Sequence, residues 1–400
     1  MSFIIFGDLF SFPEGYASAN RVHSYAKGMT ENGTEVHIIC FSNEYLSVSN
    51  GSFENINYYY PFHQSKRSSY FIVRRLKKLL KYFNTFSLVR KISKQGEIIG
   101  INLWTTTTMT FLFAWMMSII FHSKLILECS EHPLRNYQDR FFRNKIGKVK
   151  FKIEARMSNG ILCISKYILE LYKSSGISEQ KLLLVPSTVD PSRFPATIEK
   201  PVQYRYIGYF GSLSFARDNI DMLIKAFAEI QNQYPDLHLI LGGYCMDNER
   251  GKLINMIHEF NLESKVEILE YLSRQEIICF IQSADILVMV RSDDLESKAS
   301  FPSKLTEYLA ASRPVISVDV GEISDYLRDG ENAYLVKAGN VNELADKMRY
   351  VLGNYEKALK IALCGKELTS GVFNYNFQAA RILEFVNHDK GFWHAKDKAL

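Results

Sequence analysis

Ser303, Lys304 and Glu307 follow Pro302 in the run FPSKLTEYLAASRPVISVDVGEI, residues 301–323. The run reads as a helix start, then a Val/Ile strand, then a glycine. Residues three apart share a helix face, and two chemistries fit a lysine and a glutamate placed there. One is an i,i+3 ion pair on a capped helix. The other is a nucleotide site. The N–H groups and positive dipole end of a helix start attract phosphate. Lys304 adds a formal charge, and the Glu307 carboxylate can accept hydrogen bonds from ribose hydroxyls. A departing diphosphate gathers negative charge, so cations here would stabilise it. Gly211 and Ser212 close an earlier apolar strand, where a glycine lets the backbone approach a phosphate. Arg217 follows and could supply a further cation; a plain surface arginine is the alternative.

In the N-terminal half, LECSEHPLRN sets Glu128, Glu131 and His132 just past another strand. Such strand ends line the ligand side of doubly wound folds. Glu131 or His132 could bond an acceptor hydroxyl or a donor sugar; a helix cap with a surface histidine is the plain alternative. Gly15, in the first loop, would allow close approach to a donor phosphate or acceptor. Asp293-Asp294 lies on a helix-entry loop, not in a metal-binding loop after a buried strand.

These residues need a frame. A strand at 2–6, a helix at 17–31, an Asn32-Gly33 turn and a strand at 36–41 make a βαβ unit, which implies a parallel sheet. Further strands are expected at 98–103, 124–128, 160–164 and 182–186. The rhythm restarts near 198, after VDPSRFPATIEKP. Strands at 204–211, 237–243, 266–269, 286–290, 315–318 and 333–336 then alternate with helices at 219–234, 248–260 and 274–283. The expectation is α/β: two Rossmann-like, doubly wound domains facing across a cleft, 1–197 and 198–375. A last helix, within 376–400, packs back on the first domain.

At 400 residues the chain has room for two cores. The six cysteines are scattered without a CxxC pair, which suits reduced thiols in a cytoplasmic protein and not a zinc site. The opening MSFIIFGDLF lacks the basic region of a signal peptide. The uncharged run 101–121 has the length of a membrane span but opens with Asn102 and four threonines, so strand, turn and buried helix are expected. Up to Pro195 there are 25 Lys/Arg against 14 Asp/Glu; the remainder has 23 against 29. The excess concentrates in residues 65–94, with ten basic residues and no acid. Phe71, Ile72, Leu76, Leu79, Leu80 and Phe83 recur there at helical spacing, a pattern that suits peripheral contact with an anionic membrane surface. A surface helix with a solvated basic face is the alternative. No nucleic-acid motif accompanies the charge.

Four segments in order resemble the family-four glycosyltransferases of GT-B fold, the group 1 type of bacterial polysaccharide synthesis. They are PEGYASANRVHSYAKGMTENGTEVHII, ILCISKYILELYKSSGISEQKLLLVPSTVDPSRF, YIGYFGSLSFARDNIDMLIKAFAEI and FPSKLTEYLAASRPVISVDVGEISDYLRDGENAYLV. The resemblance implies an N-terminal acceptor domain and a C-terminal donor domain. It implies retaining, metal-independent transfer from a nucleotide-diphosphate sugar to a glycan or polyprenyl-linked acceptor, with no cofactor. Ser303, Lys304, Glu307, Gly211 and Ser212 would hold the donor nucleotide, and Lys304, Arg217, Glu131 and His132 would serve catalysis. The chain departs from the family twice. Asp218-Asn219 stands where a Lys-Gly pair is usual, which moves the cationic role to Arg217. The first of two family glutamates falls on Ala299. Glu296, or backbone amides around Ala299 to Phe301, would then hold the donor sugar. That departure motivates a second reading, a non-catalytic subunit binding a nucleotide or a partner enzyme. A sugar-nucleotide epimerase on the same fold is a third.

Overall fold

The computed structural model describes residues 1–15, 17–134, 141–270 and 272–387, with backbone alone at 141–144. The chain divides into two compact units. One comprises Met1–Thr188 with the segment from Tyr375 onward; the other is Val189–Asn374. The change of unit thus falls before the expected 197/198. The Val189 N–H donates to Phe373 O at 2.9 Å, so the linker already pairs with the end of the second unit.

The first unit is built on β1 (Ser2–Gly7), β2 (Glu35–Cys40), β3 (Asn50–Phe53), β4 (Ile56–Tyr59), β5 (Ile98–Trp104), β6 (Lys124–Cys129), β7 (Gly160–Cys163) and β8 (Leu182–Leu184). They form one sheet in the order β3-β4-β2-β1-β5-β6-β7-β8, parallel except for the β3–β4 hairpin. The central strands are apolar on both faces because helices cover both. On one face Phe3 and Ile5 meet Val22, Tyr25 and Met29 of helix Ala17–Glu31, together with Ala379, Ile382 and Val386 of helix Tyr375–Asn387. Gly28 makes that helix pair close: a Cβ there would lie 2.5 Å from the Ala379 Cβ. Residues 388–400, the rest of the expected last helix, lie outside the described residues. On the other face Ile4 and Phe6 meet Val89 and Ile92 of helix Phe71–Ser93 and Phe111, Ala114 and Met117 of helix Thr108–Ile120.

The uncharged run 101–121 divides into β5 and helix Thr108–Ile120, as expected. That helix buries only one side; Met109 and Ile119 on the other are exposed. Among the described residues no helix is long and apolar enough to cross a membrane.

Lys81 departs from the solvated basic face expected of its helix. It is 8% exposed, donates to Phe41 O and Asn43 Oδ1, both at 3.0 Å, and lies 4.1 Å from the Phe41 ring centroid. Burial pulls its pKa down to about 8, while Asp8 opposes the shift. Between that value and the ordinary lysine range the unfolded chain binds more protons, so Lys81 makes the fold more stable as pH rises. The increment from pH 8 to pH 10 is about 2 kcal/mol. Lys81→Met is expected to remove it: urea unfolding at the two pH values should show a shallower rise in the variant than in the wild type. Equal rises would mean Lys81 titrates normally in the fold.

The second unit carries β9 (Arg205–Phe210), β10 (Leu237–Gly242), β11 (Val266–Leu269), β12 (Ile286–Met289), β13 (Val315–Asp319) and β14 (Tyr334–Lys337). They form a parallel sheet in the order β11-β10-β9-β12-β13-β14. Its core joins Ile207, Leu239, Val288 and Ile316 to Leu223 and Phe227 of helix Ile220–Ile230.

Candidate functional site

From β9 the chain of the second unit steps outward to β10 and β11, then crosses back to β12 on the other side of β9. Doubly wound sheets bind ligands at such a reversal, beyond the carboxyl ends of the strands. Gly211 immediately follows β9, and Arg291 follows β12 by two residues.

Helix Ser303–Ala310 brings Lys304 to this point. A Cβ at position 211 would lie 2.8 Å from Lys304 Nζ and 2.9 Å from its Cε, so glycine leaves the room this side chain occupies. The ammonium donates to Asp218 Oδ1 at 2.8 Å and to the Tyr209 hydroxyl, and lies 4.3 Å from the Tyr209 ring centroid. Burial lowers the Lys304 pKa, against the attraction of Asp218. The Tyr209 hydroxyl in turn donates to Ser212 O at 2.9 Å, while Ser212 itself is exposed.

Asp218 is ringed by positive charge. Besides Lys304 it attracts Arg291, whose pKa is lowered by burial, raised by Asp218 and lowered by Arg217. Arg291 Nη2 donates to Ser300 Oγ at 2.8 Å. Its Nη1 and Asp218 Oδ2 are both buried without a hydrogen-bond partner among the described residues. Arg217 lies on the short helix Phe215–Asp218, capped by Ser214, and its side chain is exposed. The Ser292 N–H and hydroxyl both donate to Arg217 O, at 3.2 and 3.1 Å, tying the two loops together. Lys304 and Arg291 thus share one carboxylate, with Arg217 near enough to repel both, an excess of positive charge that suits an incoming polyanion.

The alternative for this pair, an i,i+3 ion pair between Lys304 and Glu307, does not form. Glu307 Oε1 lies 3.6 Å from Arg193 Nη1. Burial raises its pKa, and Arg193 and Arg274 oppose that. Nor is the helix capped by a side chain: Pro302 occupies the cap position. Ser303 opens the first turn, and its carbonyl accepts from Thr306 Oγ1 at 2.8 Å. Asp218 and Arg291 were missed in the sequence. Asp218 had a signal, a carboxylate where the family resemblance puts a lysine. Arg291 had none beyond following a strand.

The segment expected to hold a donor sugar is largely committed to the fold. Ala299 is fully buried on helix Leu295–Ala299. A glutamate there would need a buried carboxylate accommodated, so Ala299→Glu would report on folding before donor choice. The Ser300 N–H donates to Glu296 O at 3.1 Å and is already satisfied. The Phe301 ring packs 5.4 Å from Tyr326 and 5.3 Å from Phe373. Of this group the Glu296 carboxyl is half-buried, not enclosed.

In the first unit the strand order reverses at β1 and β5, whereas Glu131 and His132 follow β6, one strand farther out. Glu131 is exposed. His132 is buried, accepts from the Leu134 N–H at 3.3 Å and packs 5.9 Å from Tyr167. Arg135 and Asn136 of the same segment lie outside the described residues. The Glu128 side chain is buried and accepts from Arg21 Nε at 2.8 Å. Gly15 serves its own loop: a Cβ would meet Ser11 Oγ at 2.8 Å and the Ala19 Cβ at 2.9 Å.

Residues 192–367 match the family described as "Glycosyl transferases group 1". The match covers 176 of the 400 residues, all of them in the second unit. The matched segment holds every residue of the charged cluster, from Arg193 to Glu307. The chain is 24% identical over 226 residues to an uncharacterized glycosyltransferase of Methanocaldococcus jannaschii, covering 56% of this chain and 58% of that one. It spans little more than half the length of the curated relatives it matches. Anabaena HepE in complex with UDP and glucose superposes with a TM-score of 0.71 at 16% identity, over 96% of this chain and 98% of that one. A glycosyltransferase from Rickettsia africae gives 0.71 at 15%, over 96% and 97%. These structures share the fold, the twin α/β domains of the GT-B class.

Proposed function

We propose that the protein is a retaining glycosyltransferase that moves a sugar from a nucleotide-diphosphate sugar to a glycan or polyprenyl-linked acceptor in surface polysaccharide synthesis. One observation carries the reading. Arg217, Arg291 and Lys304 converge at the strand reversal of the second unit, beside a helix start without a side-chain cap. A buried guanidinium with an orphaned N–H, beside a half-buried ammonium and an exposed arginine, suits a diphosphate. In transfer they stabilise the charge that grows on the leaving group, and side chains supply what a metal supplies elsewhere. Glu307, on the same helix, accepts the ribose hydroxyls in place of Arg193. The capture of UDP and glucose by HepE supports this donor class. Retention rests on the family resemblance.

Calorimetric titration with a panel of nucleoside diphosphates tests the site. Glu307→Ala should weaken binding by about 1.5–3 kcal/mol, the scale for hydrogen bonds to a charged group. Unchanged affinity would remove Glu307 from it. Turnover should persist in chelator. The buried alanine at 299 favours a second reading, a subunit that binds the nucleotide without transferring sugar. Tight binding with no turnover of any nucleotide sugar would select it.

A further inference from the structure

Helix Phe71–Ser93 has one inward stripe, Lys81, Thr85, Val89 and Ile92, which holds it to the first unit. At 3.6 residues per turn, Ile72, Leu76, Leu79, Leu80 and Phe83 fall on the opposite side. With Phe71 they are 54–71% exposed. None of residues 71–80 is fully buried; Val73, Arg74 and Lys77 are half-buried and the rest exposed. The helix therefore reaches beyond its packing surface and presents its apolar side chains outward. Its first half lies at the carboxyl edge of the sheet, since Lys81 bonds Phe41 O just past β2 and Lys77 bonds Gln64 Oε1 at 2.6 Å.

Two neighbours extend the surface. Helix Thr108–Ile120 packs on the same sheet face, with Phe86 5.5 Å from Phe121 and Tyr82 5.0 Å from Phe113, and leaves Met109 and Leu112 exposed near that edge. Helix Phe141–Met157 adjoins its start, where Lys150 bonds Thr106 O. It leaves Ile146 and Val149 exposed among Lys145, Lys148 and Lys152.

We infer that this three-helix face docks on an anionic lipid bilayer, with the apolar stripe entering the headgroup boundary and the flanking lysines and arginines meeting lipid phosphates. Charge selects the occupant. Residues 65–94 carry ten basic side chains and no acid, so a second copy seated on the same face would bring like charges together. Nucleic acid would leave the apolar stripe in water. An anionic bilayer satisfies both the charge and the apolar area. Each basic side chain that reaches the surface contributes about fivefold to partitioning.

Co-sedimentation of the full chain with phosphatidylglycerol/phosphatidylcholine vesicles, against phosphatidylcholine alone, tests this. The wild type should sediment only with the anionic vesicles. Replacing Arg74, Arg75, Lys77 and Lys78 with Gln should weaken partitioning by at least about tenfold. Lys81 stays, because it is buried. Leu76→Ser with Leu80→Ser and Phe83→Ser should abolish the binding that survives at high salt. These side chains are exposed, and an unchanged unfolding transition verifies that the variants fold. Wild type remaining in the supernatant at low salt overturns the inference. So does a serine variant that binds like the wild type, or a wild-type dimer that this variant dissolves.

Discussion

Lys304→Ala is expected to lower turnover of a nucleotide-diphosphate sugar by roughly 10²–10³-fold, the cost of removing one preorganised stabiliser of developing charge. The ammonium lies over Gly211, at the carboxyl end of β9. On the proposed reading it would meet the diphosphate before transfer and the more negative leaving group during it. The loss should therefore appear in kcat as well as in binding. On the same reading Arg291 and Arg217 would remain to hold the nucleotide, so binding should weaken less than turnover falls. Single-turnover transfer and calorimetry, run on one preparation, separate the two. Equal kcat in the variant would remove Lys304 from the catalytic group.

Asp218→Ala should cost the apo protein about 3–5 kcal/mol, the scale for removing one partner of a buried ion pair. Lys304 and Arg291 would then face each other and Arg217 without the carboxylate that stands among them. A nucleoside diphosphate bound as proposed would bring negative charge to the same place. It is therefore expected to raise the melting temperature of the variant by more than that of the wild type. The double variant Asp218→Ala/Lys304→Met should recover much of the loss, because both partners go together. A variant that is destabilised but gains no extra protection from any nucleoside diphosphate would show that Asp218 and the ligand occupy different places.

Much of the frame was legible because parallel strands buried on both faces read as apolar runs, such as the segments that became β1, β9 and β10. The β3–β4 hairpin was not foreseen. Its turn, Glu54-Asn55, adopts φ of 48° and 64° without a glycine to announce it. Helices Val341–Gly353 and Tyr355–Glu367 also went unread. In the site, Lys304 and Glu307 were visible as chemistry-bearing residues, but helical spacing gives proximity and does not choose partners. Asp218 and Arg193 lie far away in sequence, and the fold brings each within reach of a side chain that i,i+3 spacing would have paired internally. Arg291 gained its place from the crossover between β11 and β12, which no local pattern encodes.

The return of the chain to its first unit has a consequence for the order of synthesis. Helix Tyr375–Asn387 covers one face of the first sheet, yet all of Val189–Asn374 is translated before it. At about 5–20 residues per second that interval lasts roughly 10–40 s. Throughout it Val22, Met29, Phe3 and Ile5 lack the covering of Ala379, Ile382 and Val386. The nascent first unit therefore emerges from the ribosome with a sticky flank, a natural holding site for a chaperone. Its release coincides with arrival of a segment that the second unit must first finish spacing out.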